Sequence, residues 1–352
     1  MLLPEGYPAS VSADYLEYQV WDTLQVTTYT SSSSSSSQAF ASSITGSLAT
    51  AAVLQEVGVG DAAATPLAAT LTWLVKDGAG MLGRIVFAAY AGTSLDHDCK
   101  RWRLFADATN DLVMLVELAA PLLPAGLLLP TLCLAGVGRS LVGVAGGASK
   151  AAVAQHQALR SNMADLAAKD GSQETLVNLV ALCLNLALLP LVSGSLAVTL
   201  AMFAVLTCLH LYANYRAVTC LVLPTLNSAR LGLVARHLAA TGEVLGPAEA
   251  NRREPVLRRA AGLPCRLGVS LVEVAAAELP LLEAAVRGEE EVLVLPGRVL
   301  VSDRADARQV YGAAVAATVG EVEGVVGRLE AAGWEVGTLA LTMEGFLYNI
   351  PR

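Results

Sequence analysis

The stretch TLVNLVALCLNLALLPLVSGSLAVTLAMFAVLTCLHLYANY, residues 175–215, contains no Asp, Glu, Lys or Arg. A helix needs about 20 apolar residues to cross the hydrocarbon core of a bilayer, so this run is long enough for two crossings. Its midpoint, PLVSGS at 190–195, combines Pro, Gly and Ser, which favour a turn. The stretch therefore predicts two helices, at about 175–190 and 196–215, in an integral membrane protein.

The composition of the whole chain points the same way. Of 352 residues, 54% are hydrophobic and 15% are charged, with a mean hydropathy of +0.54. Soluble proteins carry about 25% charged residues. The net charge of −8 argues against a nucleic-acid surface, which requires a basic stripe. The six Cys form no CxxC pair and have no His at metal-ligand spacing, so no metal site is predicted.

The fold class predicted from these patterns is mainly α, with a multi-helix membrane domain followed by a smaller α+β domain. The predicted segments are a polar N-terminal segment with a Ser-rich loop at 1–50, the helical membrane domain at 51–240, a linker at 241–266 and a soluble α+β domain at 267–352.

The last segment alternates between strand and helix patterns. We predict strands at 268–274, 291–295, 298–302 and 334–341, and helices at 276–287 and 304–331. The order βαββαβ is that of a ferredoxin-like domain.

Two apolar regions before residue 150 complete the predicted membrane domain. The first, 62–92, is interrupted by Lys76-Asp77-Gly78 and predicts one broken span or a re-entrant pair. The second, 118–138, is uncharged and predicts a further span in spite of its three prolines. The tripeptide recurs as Lys169-Asp170-Gly171, and a Gly at this place is typical of a helix C-cap. Paired broken helices indicate a transporter site, whereas two independent caps are the alternative.

A dense set of polar residues lies between the apolar blocks, from 155 to 174. Ionisable groups beside or within a membrane are candidates for function, and a solvated helix face is the alternative. No catalytic residue is predicted, and the chain is not expected to be an enzyme. The candidate substrate-binding residues are Lys76, Asp77, Arg84, Lys150, His156, Asn162, Asp165, Lys169, Asp170, Gln173 and Glu174.

Several segments of the first two thirds resemble the Root UV-B sensitive family, which is best described in plants. The matching segments include LPEGYP (3–8), YLEYQVWDTLQ (15–25), VKDGAGMLGRIVFA (75–88), CKRWRLFADATNDLVMLVEL (99–118) and LPTLNSAR (223–230). The resemblance implies a membrane or plastid-associated protein with roles in vitamin B6 homeostasis and, in plants, in early seedling development under UV-B and polar auxin transport. It brings no established catalytic residues or cofactor.

Three hypotheses of function follow. In the first, the protein moves or retains a small anionic metabolite, with pyridoxal phosphate or another vitamin B6 compound as ligand. In the second, it is a non-catalytic membrane-anchored adaptor whose C-terminal domain binds a partner protein. In the third, one of its four Lys forms a Schiff base with pyridoxal phosphate. The expected partners are membrane lipid and a further copy or family member, in a plastid membrane, and no nucleic acid.

Overall fold

The computed structural model describes residues 3–33, 66–119, 123–192, 196–257, 263, 265–270, 273–288, 290–296, 298–320, 324–341 and 347–348. The chain divides into two compact units. Unit 1 comprises Met1–Leu95 and Cys99–Leu221, and unit 2 comprises Asp96–Asp98 and Val222–Arg352. The domain boundaries given above from the sequence stay predictions.

Unit 1 is helical throughout its described elements. These are α1 (Tyr15–Ser33), α2 (Pro66–Leu95), α3 (Cys99–Ala119), α4 (Ala125–Gln157), α5 (Met163–Val192) and α6 (Leu196–Cys220). Helix α4 packs along α2 and α3, and α1 packs along α6 and α5. Contacts between α3 and α6 join these two groups.

Glycines let α4 approach its two neighbours closely. A Cβ atom at Gly83 of α2 would lie 2.9 Å from Val137 Cγ1 of α4, and one at Gly138 of α4 would clash with Val113 of α3. Small residues at such crossings allow helix backbones to pack tightly in a lipid environment as well as in water. Gly146 of α4 makes a further close contact, since a Cβ atom there would lie 3.6 Å from Ala106 Cβ of α3.

The helix break inside the charge-free stretch is confirmed. Helix α5 ends at Val192 and α6 begins at Leu196. Both helices extend beyond the predicted limits, to Met163 on one side and Cys220 on the other. Residues 193–195 lie outside the described residues, as does most of the predicted Ser-rich loop, of which Ser31–Ser33 form the end of α1.

The two predicted breaks at Lys-Asp-Gly are wrong. Helix α2 runs through Lys76-Asp77-Gly78, and α5 runs through Lys169-Asp170-Gly171. A Gly inside a helix costs about 1 kcal/mol relative to Ala, and packing along the rest of a 30-residue helix offsets a cost of that size. The proposed pair of broken helices is therefore absent at these tripeptides.

The predicted span at 118–138 is also wrong in its limits. Helix α3 ends at Ala119 and α4 begins at Ala125, and the described residues between them, Leu123 and Pro124, are not helical. Pro130 lies inside α4. Among the described residues, one helical segment, Pro130–Gln157, has the length and apolar composition needed to cross a membrane.

Unit 2 contains helices on both sides of a small sheet. Its described elements are α7 (Ser228–Thr241), α8 (Pro247–Arg253), β1 (Arg266–Leu267), a 3₁₀ turn (Ala276–Glu278), α9 (Leu279–Arg287), β2 (Val292–Leu295), β3 (Arg298–Ser302), α10 (Ala307–Val319), α11 (Val325–Ala331) and β4 (Leu347–Tyr348). Strand β3 pairs with β2 antiparallel and with β1 and β4 in parallel.

Strand β3 is buried on both faces, which places it at the centre of unit 2. Val299 and Val301 pack into a core with Leu231 of α7 and Tyr311 of α10. Leu300 points the other way, into a smaller cluster that includes Ala285 of α9. The hydroxyl of Tyr311 donates to Thr338 O at 3.1 Å and accepts from Ala340 N at 2.9 Å, and burial raises the pKa of this phenol.

The α+β character of the C-terminal region is therefore present, but the ferredoxin-like arrangement is not confirmed. No strand forms over the described residues 334–341, where Trp334 is buried and donates to Leu245 O at 2.8 Å. The long helix predicted over 304–331 is wrong, because Gly320 and Gly324, both at positive φ, separate α10 from α11.

A buried ion pair anchors the start of α7. Arg230 is 1% exposed, its Nη1 lies 3.1 Å from Glu254 Oε2, and its Nε donates to Thr225 O at 2.7 Å. Asn227 caps the helix by accepting from Arg230 N at 2.8 Å. These contacts tie the first turn of α7 to the segment that follows α8.

We expect Arg230→Gln to destabilise unit 2 by about 3 kcal/mol, because it removes the buried positive charge that pairs with the Glu254 carboxylate. In the intact chain, amide hydrogen exchange in α7 should accelerate by roughly 100-fold. Arg252→Gln is the matched control, since its side chain is 74% exposed in a surface pair with Glu249 and such pairs contribute at most about 1 kcal/mol. Equal exchange rates in the two variants would contradict the prediction.

Candidate functional site

The polar side chains of α1 face the interior of unit 1. Five of them are buried and recur with the spacing of one helical face: Tyr15, Tyr18, Gln19, Asp22 and Gln25. This spacing places them on one face of a helix. The opposite face of α1 carries apolar residues that are exposed, including Leu16 and Val20.

Arg103 of α3 pairs with two carboxylates, one on α1 and one on α3 itself. Its Nη2 lies 3.3 Å from Asp22 Oδ1, and its Nε lies 3.4 Å from Asp107 Oδ2. Gln25 of α1 donates to Asp107 Oδ2 at 2.7 Å, and Asn214 of α6 donates to the same oxygen. Asp107 is therefore a point at which three helices meet through hydrogen bonds.

A second set of charges joins α4 and α5. Lys150 Nζ lies 3.2 Å from Asp170 Oδ2 and 2.9 Å from Glu174 Oε2. Gln19 of α1 donates to the other oxygen of Asp170 at 3.1 Å. We call the two sets together the interior network: Gln19, Asp22, Gln25, Arg103, Asp107, Lys150, Asp170, Glu174 and Asn214.

Burial alters the ionisation of the groups on α1. Burial raises the pKa of the Asp22 carboxyl, Arg103 opposes that rise, and Asp170 adds to it. Burial also raises the pKa of the Tyr18 phenol well above its ordinary value, with a further contribution from the charge of Asp22. Tyr18 therefore stays neutral, and the interior network favours a proton or another positive charge near Asp22.

Two His–Asp pairs flank the interior network. His210 Nδ1 of α6 lies 2.8 Å from Asp111 Oδ2 of α3, and both side chains are buried. His156 Nε2 near the end of α4 lies 2.9 Å from Asp14 Oδ2, whose other oxygen accepts from Ser12. Among the described residues, no group of three or more His, Cys, Asp or Glu is placed to hold a metal ion.

The exterior of unit 1 is apolar where the interior is charged. Each of its described helices exposes large aliphatic side chains, among them Leu16, Val20, Leu82, Ile85, Leu112, Leu134, Leu179 and Val205. The interior network lies beside buried apolar clusters, such as that of Phe87, Leu95 and Ala145. We use the term reversed polarity for this combination of aliphatic side chains on the exterior with the interior network inside.

The structure brings together some of the residues predicted from the sequence. Lys150, Asp170 and Glu174 are in contact, and Gln173 lies next to Tyr15. Three other predicted residues are in or just before α5. Asp165 accepts from Glu5 N at 2.8 Å, and Asn162 accepts from Arg160 N at 3.2 Å. Lys169 is half-buried on α5.

The predicted residues on α2 do not enter the interior network. Asp77 and Arg84 are exposed, and Arg84 lies over Gly143 of α4. The side chain of Lys76 lies outside the described residues. The expectation that the two Lys-Asp-Gly tripeptides converge on one site stays a prediction for Lys76.

Sequence reasoning missed the contribution of α1, α3 and α6. Asp22, Gln25, Arg103, Asp107 and Asn214 were absent from the predicted set. The available signal was the helical spacing of polar residues in YLEYQVWDTLQ (15–25) and of Arg103, Asp107 and Asp111 in α3. In a bundle that exposes its apolar faces, such polar stripes point inward.

Comparison with known proteins adds the family. Residues 1–242 match a family model described as a vitamin B6 photo-protection and homoeostasis domain. RUS family member 1 of Dictyostelium discoideum is 43% identical over 277 residues, which cover 78% of this chain and 50% of that protein. Protein root UVB sensitive 3 of Arabidopsis thaliana is 43% identical over 256 residues, 72% of this chain and 55% of that protein.

More distant relatives show the same coverage. Protein root UVB sensitive 5 of Arabidopsis thaliana is 30% identical over 295 residues, 79% of this chain and 54% of that protein. The chain thus spans about half the length of the curated relatives it matches. No solved structure matches it. From the extent of the family model and the identity to these relatives, the chain belongs to the Root UV-B sensitive family.

Proposed function

We propose that this chain is an integral membrane protein that binds a vitamin B6 compound in the interior of unit 1 and moves it across, or retains it at, the membrane. The observation that carries the proposal is the reversed polarity of unit 1, with the interior network inside and aliphatic side chains outside. The description of the family model supplies the vitamin B6 ligand class.

The reversed polarity supports a lipid environment on energetic grounds. Burying apolar area contributes about 25 cal/mol per Å² in water, and unit 1 leaves large aliphatic side chains unburied on every described helix. Only 17% of the most apolar window of Pro130–Gln157 is buried, whereas the core helix of a soluble protein is mostly buried. We assign the spanning segments to α4, α5 and α6, and place the more polar α1 and α3 against them.

The interior network supports ligand binding within that environment. Ionisable side chains inside a membrane domain mark substrate and ion pathways, because their burial is costly. Here the ionisable members of the interior network come from four helices, and amide groups able to orient a small polar molecule accompany them, one of them from a fifth helix. The chemistry is binding without bond formation, so the proposed role is not enzymatic.

The proposed location of the protein in the cell is based on its relatives. One relative, 28% identical over 255 residues, is named protein root UVB sensitive 2, chloroplastic, which supports a plastid membrane as the location. Association with a second copy or another family member belongs to the same proposal. Roles in seedling development and polar auxin transport stay predictions from the resemblance.

We expect Leu134→Arg to reduce membrane integration. Leu134 is 67% exposed on α4, and Arg in a spanning helix is unfavourable by up to about 2.5–3.5 kcal/mol, the value at the helix centre. The fraction of the chain that resists carbonate extraction should fall clearly below that of the wild type. The matched control is Leu257→Arg, the same change at a residue of unit 2 that is 76% exposed. If Leu134→Arg left the extracted fraction unchanged, unit 1 would not be surrounded by lipid.

We expect proteoliposomes containing the intact chain to take up labelled pyridoxine faster than protein-free liposomes. Arg103→Gln should lower that uptake by at least about tenfold, because Asp22 and Asp107 lose their shared counter-charge and the interior network loses its geometry. Arg252→Gln, a surface change in unit 2, should retain wild-type uptake. Transport would be contradicted if the wild-type proteoliposomes took up pyridoxine no faster than protein-free liposomes. Equilibrium binding of pyridoxine to the same sample would then decide between retention of the vitamin and no role in vitamin B6 binding.

A further inference from the structure

The interior network contains more negative than positive charge. Asp22, Asp107 and Asp170 have side chains that are 12%, 16% and 15% exposed. Arg103 and Lys150 supply two positive charges against these three carboxylates, and Lys150 also pairs with Glu174. At least one negative charge is therefore without a permanent counter-charge inside the network.

The amide of Asn214, beside Asp107, is turned so that its oxygen remains available as a hydrogen-bond acceptor. A carboxylate only accepts, so it fixes the orientation of an amide that contacts it. Asn214 directs its NH₂ group at Asp107 Oδ2, and Gln25 does the same at 2.7 Å. Asn214 is fully buried, and none of the described side chains donates to its Oδ1 atom.

A buried acceptor without a donor is destabilising. At Asp107, the contacts from Gln25, Arg103 and Asn214 all reach Oδ2, and the positive charge of Arg103 is shared with Asp22. The interior network thus lacks a hydrogen-bond donor at Asn214 Oδ1 and has fewer positive than negative charges. A protonated amino group supplies both, since it carries one positive charge and three N–H donors.

We propose that unit 1 binds the protonated amino group of a small organic cation at Asn214 and Asp107. This inference rests on the proposed function, in which unit 1 holds a small ligand among these groups. It changes the ligand class expected from the sequence, because a phosphate dianion would add negative charge to a region that already has an excess of carboxylates. Among vitamin B6 compounds the inference selects the form with an aminomethyl group, pyridoxamine, over pyridoxal 5′-phosphate.

The test is calorimetric binding to the intact chain in lipid nanodiscs at pH 7, with three probes. Pyridoxamine is the amine of the proposed class, benzylamine is an amine of similar size that is not a vitamin B6 compound, and pyridoxal 5′-phosphate is the anion. We expect pyridoxamine to bind at least tenfold more tightly than pyridoxal 5′-phosphate. This preference is measured on the wild type and does not depend on any variant folding.

Variants then locate the site. Asn214→Leu removes the buried acceptor, and Asp107→Asn removes the charge, so each should weaken binding of pyridoxamine at least tenfold. Arg252→Gln, at an exposed pair with Glu249 in unit 2, is the control and should bind as the wild type does. Unchanged amine binding in both Asn214→Leu and Asp107→Asn would overturn the assignment.

The remaining outcomes separate this inference from the proposed function. Equal or tighter binding of pyridoxal 5′-phosphate would overturn the inference and leave vitamin B6 binding in place. Binding of benzylamine without pyridoxamine would support the amine site and contradict vitamin B6 as the ligand. If neither amine binds, the inference is wrong, and a water molecule at Asn214 is then the simpler occupant.

Discussion

The ion pairs of Arg103 with Asp22 and Asp107 are the contacts on which the rest of unit 1 depends. They join α1 to α3, and Asp107 extends the connection to α6 through Asn214. Attraction between opposite charges grows as the surrounding dielectric constant falls, so the lipid environment that we propose for unit 1 strengthens these pairs. The same surroundings make an unpaired charge costly, and each of the three side chains has a partner on another helix.

The helical character of unit 1 and the division of its longest apolar run could be predicted from the sequence. Pro190 and Gly194 predict a local break, and helix α5 ends at Val192, two residues after Pro190. The breaks predicted at Gly78 and Gly171 do not form, because packing along α2 and α5 outweighs the weak helix preference of one glycine. In unit 2, residues 334–341 have the alternation of a strand, yet Trp334 is held by the carbonyl of Leu245 and not by a sheet.

Part of the candidate site could be predicted from the sequence. Lys150, Asp170 and Glu174 belong to one polar segment between apolar blocks, so their density in the sequence was visible. Asp22, Arg103 and Asn214 are far apart in the chain, and only tertiary structure brings them together. Their helices look like ordinary amphipathic helices, and a sequence does not state which face meets solvent. Once lipid is the surrounding medium, the polar face is the one that packs inward.

The order of α1 and its partners along the sequence has a consequence for synthesis. Asp22 leaves the ribosome 81 residues before Arg103, as the positions in the sequence show, and Asn214 follows much later. In the lipid environment that we propose for unit 1, α1 carries until then a polar face that neither lipid nor an apolar neighbour satisfies. Helix α1 therefore docks after α3 and α6 have been made, although it precedes both in the sequence.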